Sequence, residues 1–291
     1  MGTNMLEVCH ISKVYQNHKT ALDDISFSIP YGHIIGLVGE NGAGKTTLLK
    51  SIMGILAADS GNIFLLGEKY TPQRTAIWEK IGVCLDESCI PIQFHAMDLN
   101  LIMSHVYNQW DTNLFYSLLD RFSIPKKKRV GEMSKGMKSK FSFSLALAHH
   151  PQLLVLDEIT SGLDPSSRKD ILSILLDFIQ DERHGVLLSS HTTNDLERIA
   201  DYIIFLVHGR VGLSIQRDTL MDQYKVIRFS QNDLKPLETC DCITYYIQSG
   251  QVNALVSDSA RFISANKIDH YVEDKVSIDE VLVMLNWEKT V

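Results

Sequence analysis

Short apolar runs alternate with longer amphipathic stretches along this chain. Leu6 to His10 and Ile25 to Ile29 alternate apolar and polar residues, as half-exposed strands do. Pro30-Tyr31-Gly32 sets a turn, and His33-Ile34-Ile35-Gly36-Leu37-Val38 then reads as a strand buried on both faces. A helix is predicted from Thr46 to Met53. Further strands are predicted at Gly61 to Gly67, Ile81 to Leu85, Gln152 to Leu156, Gly185 to Ser190 and Tyr202 to Val207. Helical spacing covers about residues 98 to 123, with Trp110, Phe115, Leu118, Leu119 and Phe122 on one apolar face that suits core packing. Ser134 to His149 starts at a polar cap, Pro165 to about Gln180 carries proline in its first turn, and Asn194 to Ala200 is short. Strands alternating with helices imply a mainly parallel sheet covered on both faces.

Near Asp218 the pattern changes. Val226 to Phe229, Ile243 to Ile247 and Val252 to Val256 read as strands, Ile268 to Val272 as extended, Ala260 to Asn266 and Ser277 to Leu285 as helices. The expected division is therefore a large α/β domain over 1–217, with a helical subdomain at about 88–150, and a small α+β module over 218–291. A module of about 70 residues buries little surface by itself.

Composition narrows the functions. Hydrophobic residues make up 45% of 291, enough for a sizeable core. The formal charge of −7 offers no excess of cations to nucleic-acid phosphates. The one dense basic run, Lys126-Lys127-Lys128-Arg129, reads as a solvated loop. No apolar run approaches the ~20 residues that span a bilayer. Met1 to Met5 lack a basic segment followed by an apolar block. Cys9, Cys84, Cys89, Cys240 and Cys242 form no C-x-x-C, so reduced thiols are expected. These readings point to a soluble cytosolic protein.

The densest chemistry lies at Gly39 to Thr46, G-E-N-G-A-G-K-T, which fits the phosphate-loop pattern G-x-x-x-x-G-K-[ST] between a strand and a helix. The glycines let backbone N–H groups turn toward phosphates, the helix N-terminus adds its dipole, and Lys45 adds a full charge. Asp157 ends a buried apolar run. With Thr46 it offers the two protein oxygens that a magnesium ion needs. Glu158 follows at once and can take a proton from the attacking water or hold that water in line. An isolated Asp-Glu pair is usually a strand end or a cap, but a separate strand beside a phosphate loop changes its meaning.

Three more segments share this order: Leu153 to Asp164 (L-L-V-L-D-E-I-T-S-G-L-D), Met133-Ser134-Lys135-Gly136-Met137 upstream of it, and Ser189-Ser190-His191 downstream. Together they resemble the nucleotide-binding domain of ATP-binding-cassette (ABC) transporters over about residues 5–213. The resemblance implies a P-loop NTPase cassette with a mainly parallel core sheet, an antiparallel β subdomain and a helical subdomain. It implies ATP and Mg²⁺ as cofactors and ATP hydrolysis coupled to transport. Gly39, Asn41, Gly42, Ala43, Gly44, Lys45, Thr46 and Thr47 would hold the phosphates, and Tyr15 would stack on adenine. Glu158, His191 and Lys45 would carry catalysis. Ser134 and Gly136 would reach the γ-phosphate on a second copy of the chain, and Asp164 would lie in the loop that crosses the dimer interface. Asp86 stands where the family has a glutamine linking magnesium to the membrane partner. It is shorter and charged, so it is either a water-mediated metal contact or a solvated carboxylate. Lys135 and Met137 replace a glycine and a glutamine, and Ile159 replaces a proline.

By the same resemblance the partners are a second copy and a separate transmembrane permease, with no nucleic acid, on the cytoplasmic side of the membrane. Asp86, the S-K-G-M-K segment and the α+β tail resemble the ABC-2 exporter group of Gram-positive bacteria. That points to amphipathic peptides or antimicrobial compounds as cargo. The apolar stretch Ser88 to Met97 either receives a helix of the permease or packs as core. The alternative is a soluble ABC ATPase acting on the ribosome or DNA, against which the single cassette, the lack of heptads and the negative charge all weigh.

Overall fold

The computed structural model describes residues 4–16, 18–85, 90–233 and 241–287. The chain opens with strands β1 (Asn4–Val14) and β2 (Thr20–Pro30), which pair antiparallel. β3 (Ile34–Val38) leads into α1 (Lys45–Ile52), followed by β4 (Ser60–Leu65), β5 (Glu68–Lys69) and β6 (Ile81–Cys84). Then come α2 (Ala96–Val106), α3 (Thr112–Arg121), α4 (Lys135–Leu147), β7 (Leu153–Asp157), α5 (Pro165–Phe178), β8 (Gly185–Ser189), α6 (Thr193–Ile199), β9 (Tyr202–Val207) and β10 (Arg210–Gln216).

The central sheet runs β10-β9-β3-β8-β7-β6. Its four pairings from β9 to β6 are parallel, and β10 closes one edge antiparallel. β3, β7 and β8 are buried along their whole length, as their unbroken apolar runs require. Alternation sorts their side chains onto two faces. Val38, Leu154, Leu156, Val186, Leu188, Ile203 and Phe205 join the core under the helices. Ile35, Leu37, Leu153, Val155, Leu187, Ile204 and Leu206 join a second core with α1 and the antiparallel sheet β2-β1-β4-β5. The cassette is thus an α/β P-loop fold with an antiparallel β layer and a helical layer.

The structure departs from the pattern reading in four places. The stretch 98–123 is two helices, because Asp111 accepts the amide of Leu114 at 2.8 Å and caps α3 anew. Trp110 therefore lies between helices, its indole N–H donating to Asn100 at 2.9 Å. β10 was not foreseen. It returns from β9 through His208 and Gly209, both at positive φ, the two-residue turn that matches strand twist. Residues Arg217–Gln223 form a further helix, α7. Ile268 belongs to no strand. After left-handed Lys267 its amide returns to the Ile263 carbonyl at 3.2 Å and closes the preceding helix.

Beyond α7, β11 (Lys225–Ser230), β12 (Cys242–Gln248), β13 (Gln251–Val256) and β14 (Tyr271–Lys275) form a sheet of order β12-β13-β11-β14. α8 (Ser259–Asn266) covers one face, where Ile227, Phe229, Val252, Ala254 and Val256 meet Phe262. The other face turns inward. Val226 and Leu255 share the main core with Ile278, Val281 and Met284 of α9 (Ile278–Asn286). α9 packs on α6, β9 and β12, and the Ile278 amide donates to Glu197 of α6 at 3.1 Å. Among the described residues, no helix is long and apolar enough to cross a membrane.

Candidate functional site

The loop after β3 is shaped by what cannot fit there. Gly44 holds φ +108, and a Cβ on it would lie 2.5 Å from the Ala21 carbonyl oxygen, so both backbone and space demand glycine. The chain then enters α1, whose first residue is Lys45. The Lys45 ammonium is buried and donates to the carbonyls of Gly39 at 2.5 Å and Glu40 at 3.3 Å, which fixes it along the loop. Thr46 follows with its hydroxyl donating to Asp157 Oδ2 at 3.1 Å.

Asp157 sits at the end of β7 with 2% exposure, and its other oxygen accepts the Ser189 hydroxyl at 2.7 Å. One carboxylate oxygen is therefore oriented from α1 and the other from β8. A hydroxyl and a fixed carboxylate are hard oxygen donors, the set that a small divalent cation takes together with phosphates and water. Glu158 adopts φ +53, unusual for a side-chain-bearing residue, while its amide donates to the Ser189 carbonyl at 3.0 Å. That bend turns its carboxylate toward the loop after β8. There Oε2 contacts His191 Nδ1 and accepts the His191 amide at 3.2 Å.

Between these groups lies a cleft of about 400 Å³. Its walls bring together Tyr15, Asn41, Gly42, Gly44, Lys45, Thr46, Thr47, Asp157, Glu158 and His191, all expected from the sequence. The Tyr15 hydroxyl is 3.2 Å from the Thr47 hydroxyl, and its ring stays exposed at the mouth. Gly39 and Ala43 stand behind the wall. Gly39 offers its carbonyl to Lys45, and the Ala43 amide donates to the Glu40 carbonyl at 3.1 Å. Ser134, Gly136 and Asp164 lie outside the cleft of their own chain. Ser134 caps α4 by accepting the Met137 amide at 3.3 Å. A Cβ on Gly136 would sit 3.3 Å from Leu163, so the two loops touch. Asp164 caps α5, and the Ser167 hydroxyl and amide hold its carboxyl below its ordinary value. Asp86 falls outside the described residues, as do Ser88 and Cys89 of the apolar stretch.

The sequence reading missed Lys19, Ala21, Glu40 and Ser161 as walls, and Ser189 as the group that orients Asp157. Lys135 also lines this cleft, although its sequence position suggested a neighbouring subunit's nucleotide. Only Ser189 carried a signal, as the last residue of a buried strand parallel to the one bearing Asp157.

A second cavity, about 370 Å³, opens between the central sheet and the helical layer. Ile55, Trp78, Val83, Leu85, Ile90, Met103, Tyr107 and His149 line it. His149 stacks on Tyr107 with ring centres 4.1 Å apart, and burial pulls its imidazole below its ordinary pKa.

A phosphate loop opening at the carboxyl ends of parallel strands, with two consecutive carboxylates at the end of a nearby strand, defines a P-loop nucleoside triphosphatase. Comparison with known proteins gives the family. The ABC transporter family model matches residues 22–161. The chain is 31% identical over 226 residues to the ABC transporter ATP-binding protein YtrB of Bacillus subtilis, covering 78% of this chain and 77% of that one. It is 27% identical to the bacitracin transport ATP-binding protein BcrA of Bacillus licheniformis, covering 79% and 76%. A solved ATP-binding subunit of an ABC transporter superposes with a TM-score of 0.67 at 26% identity, over 75% of this chain and 92% of the other. The chain belongs to the ABC transporter family as an ATP-binding subunit, and it is an ATPase.

Proposed function

We propose that this chain hydrolyses Mg²⁺–ATP in the cleft described above, as one of two identical copies driving a separate membrane permease that exports amphipathic peptides or antimicrobial compounds. The observation that carries the reading is the pairing of Glu158 with His191 in the same cleft that Lys45 and Thr46 line. Mg²⁺, when bound to Thr46 and Asp157 oxygens, supplies charge neutralisation on the β- and γ-phosphates. The protein does the rest. Loop amides and Lys45 fix the phosphate chain, and Tyr15 offers an aromatic face at the mouth. Glu158 accepts a hydrogen bond from water and aligns it, while His191 donates to the γ-phosphate.

Ser134, Gly136 and Asp164 lie together outside this cleft, which supports their use by a second copy. The apolar groove around Trp78, Ile90 and Met103 supports docking of a short permease helix, since Ile55 on its wall is exposed. Cargo and direction rest on the export-group resemblance and on the bacitracin-transport relative. We read residues 218–291 as an accessory α+β unit and Asp86 as a link between the metal site and the permease.

Glu158→Gln tests the hydrolytic part. Shape is nearly kept, so the variant is expected to bind ATP as tightly as the parent while turnover falls about 100-fold or more. Calorimetric titration with ATP and a phosphate-release assay measure the two quantities. Turnover near the parent's would sink the role of Glu158.

A further inference from the structure

Behind the Glu158–His191 contact lies a second link between the same two loops. Arg168 stands in the first turn of α5, its amide donating to the Asp164 carbonyl at 3.0 Å. Asp195 stands in the first turn of α6, its amide donating to the Thr192 carbonyl at 3.1 Å. Their side chains face each other with Arg168 Nε 3.8 Å from Asp195 Oδ2. The Asp195 side chain is only 3% exposed. The pair attracts without a hydrogen bond at this separation.

Among the described residues, four buried side-chain polar atoms have no hydrogen-bond partner within the protein, and Arg168 Nε and Asp195 Oδ2 are two of them. A third, Thr160 Oγ1, belongs to the loop between Glu158 and α5. Buried polar groups are ordinarily satisfied, because leaving one unpaired is costly. Here three of the four lie on the segment from Thr160 to Arg168 and on the helix that follows His191, and the fourth, Asp241 Oδ2, lies just before β12. A slight approach of α5 to α6 would satisfy two of them at once.

We infer that the Arg168–Asp195 pair is a positioning latch which sets the distance between the loop carrying Glu158 and the loop carrying His191. This rests on the hydrolytic reading given above and deepens it. α5 is rigidly tied to its loop by the Asp164 cap. α6 is tied to His191 by the short turn in which the Thr192 amide donates to Ser190 Oγ at 2.9 Å. The pair therefore holds the two loops at the separation at which His191 meets Glu158, whereas breaking it lets both loops drift. Neither Arg168 nor Asp195 lines the cleft, so the pair acts on turnover rather than on nucleotide affinity.

The test is steady-state ATPase of the full chain carrying Asp195→Asn, Arg168→Lys and Arg168→Met, singly and with His191→Ala. Asp195→Asn and Arg168→Met are expected to lower kcat about 10- to 100-fold, the scale of a misplaced reacting group, with KM for ATP held within about twofold. Arg168→Lys, which keeps the charge, should recover part of the loss. Within the His191→Ala background, measured by single turnover at high enzyme concentration, Asp195→Asn should add no further loss. An equal loss in both backgrounds, or an unchanged kcat in Asp195→Asn, overturns the latch. If Asp195→Asn does not fold, Arg168→Met and Arg168→Lys carry the same comparison. Full activity in His191→Ala or Glu158→Gln alone would instead refute the underlying hydrolytic reading, so the two failures are distinguishable.

Discussion

Gly44 and Glu158 show two ways in which a single backbone position fixes the site. At Gly44 the left-handed φ and the nearby Ala21 carbonyl both exclude a side chain. Gly44→Ala is expected to cost about 1–3 kcal/mol in backbone strain, with the clash in addition, and to abolish ATP binding by displacing the loop amides. Thermal melting with and without ATP measures both effects, and the parent's nucleotide-induced rise in Tm should vanish. Lys45→Ala should weaken ATP binding and shrink the nucleotide-induced rise in Tm, since it takes a full positive charge from the phosphate site. At Glu158 the side chain is kept despite a strained φ, which is what a functional carboxylate aimed across a turn requires. The loop residues were legible in the sequence because one continuous segment encodes strand, turn and helix. Ser189 and Lys135 were not, because they reach the cleft from other elements and only the packed fold brings them there.

Elements were legible where their period was long and uninterrupted. The buried strands β3, β7 and β8 read correctly because they are apolar on both faces. The helix over 98–123 was read as one because apolar spacing carries through Trp110. The break is set by a single carboxylate, Asp111, whose capping competes with continuation. The β9–β10 hairpin was hidden by a short, half-exposed second strand. At this scale α4 carries a pH-sensitive contact. His149, just past its end, has its imidazole buried against Tyr107, with Nε2 donating to the Ile81 carbonyl at 3.2 Å. Its pKa lies below the ordinary 6.5 in the folded protein. Between that lowered value and 6.5 the unfolded chain binds more protons than the folded one, so stability falls as pH falls through this window. His149→Phe keeps the stacked ring and removes the titration. Relative to it, the parent should lose Tm on going from pH 7.5 to about pH 5.5, the range where an ordinary imidazole gains its proton.

For the whole molecule, the separation of Ser134, Gly136 and Asp164 from their own cleft predicts assembly controlled by nucleotide. Glu158→Gln should dimerise with Mg²⁺–ATP and remain monomeric with ADP, as read by light scattering. A dimer present without nucleotide would show that assembly has another basis. The carboxyl-terminal sheet predicts a single unfolding transition, because Leu220, Val226, Leu255, Val281 and Met284 belong to the same core as β3 and β7. Met284→Ala should lower the stability of the whole chain by about 2–5 kcal/mol, the range for truncating a fully buried side chain. Calorimetry resolving two separate peaks would contradict that shared core.

The position of α9 also has a consequence in time. Its buried face covers α6, which ends at Ile199, yet α9 begins only at Ile278. Synthesis at about 5–20 residues per second leaves that part of α6 uncovered for about 4–15 s in every molecule made. The same contacts that finish the core arrive last, and they join segments far apart in sequence, which slows folding. Newborn chains therefore carry an apolar seat for α9 while still on the ribosome. Agents that shield such surfaces should raise the yield of active protein more than any change within the phosphate loop.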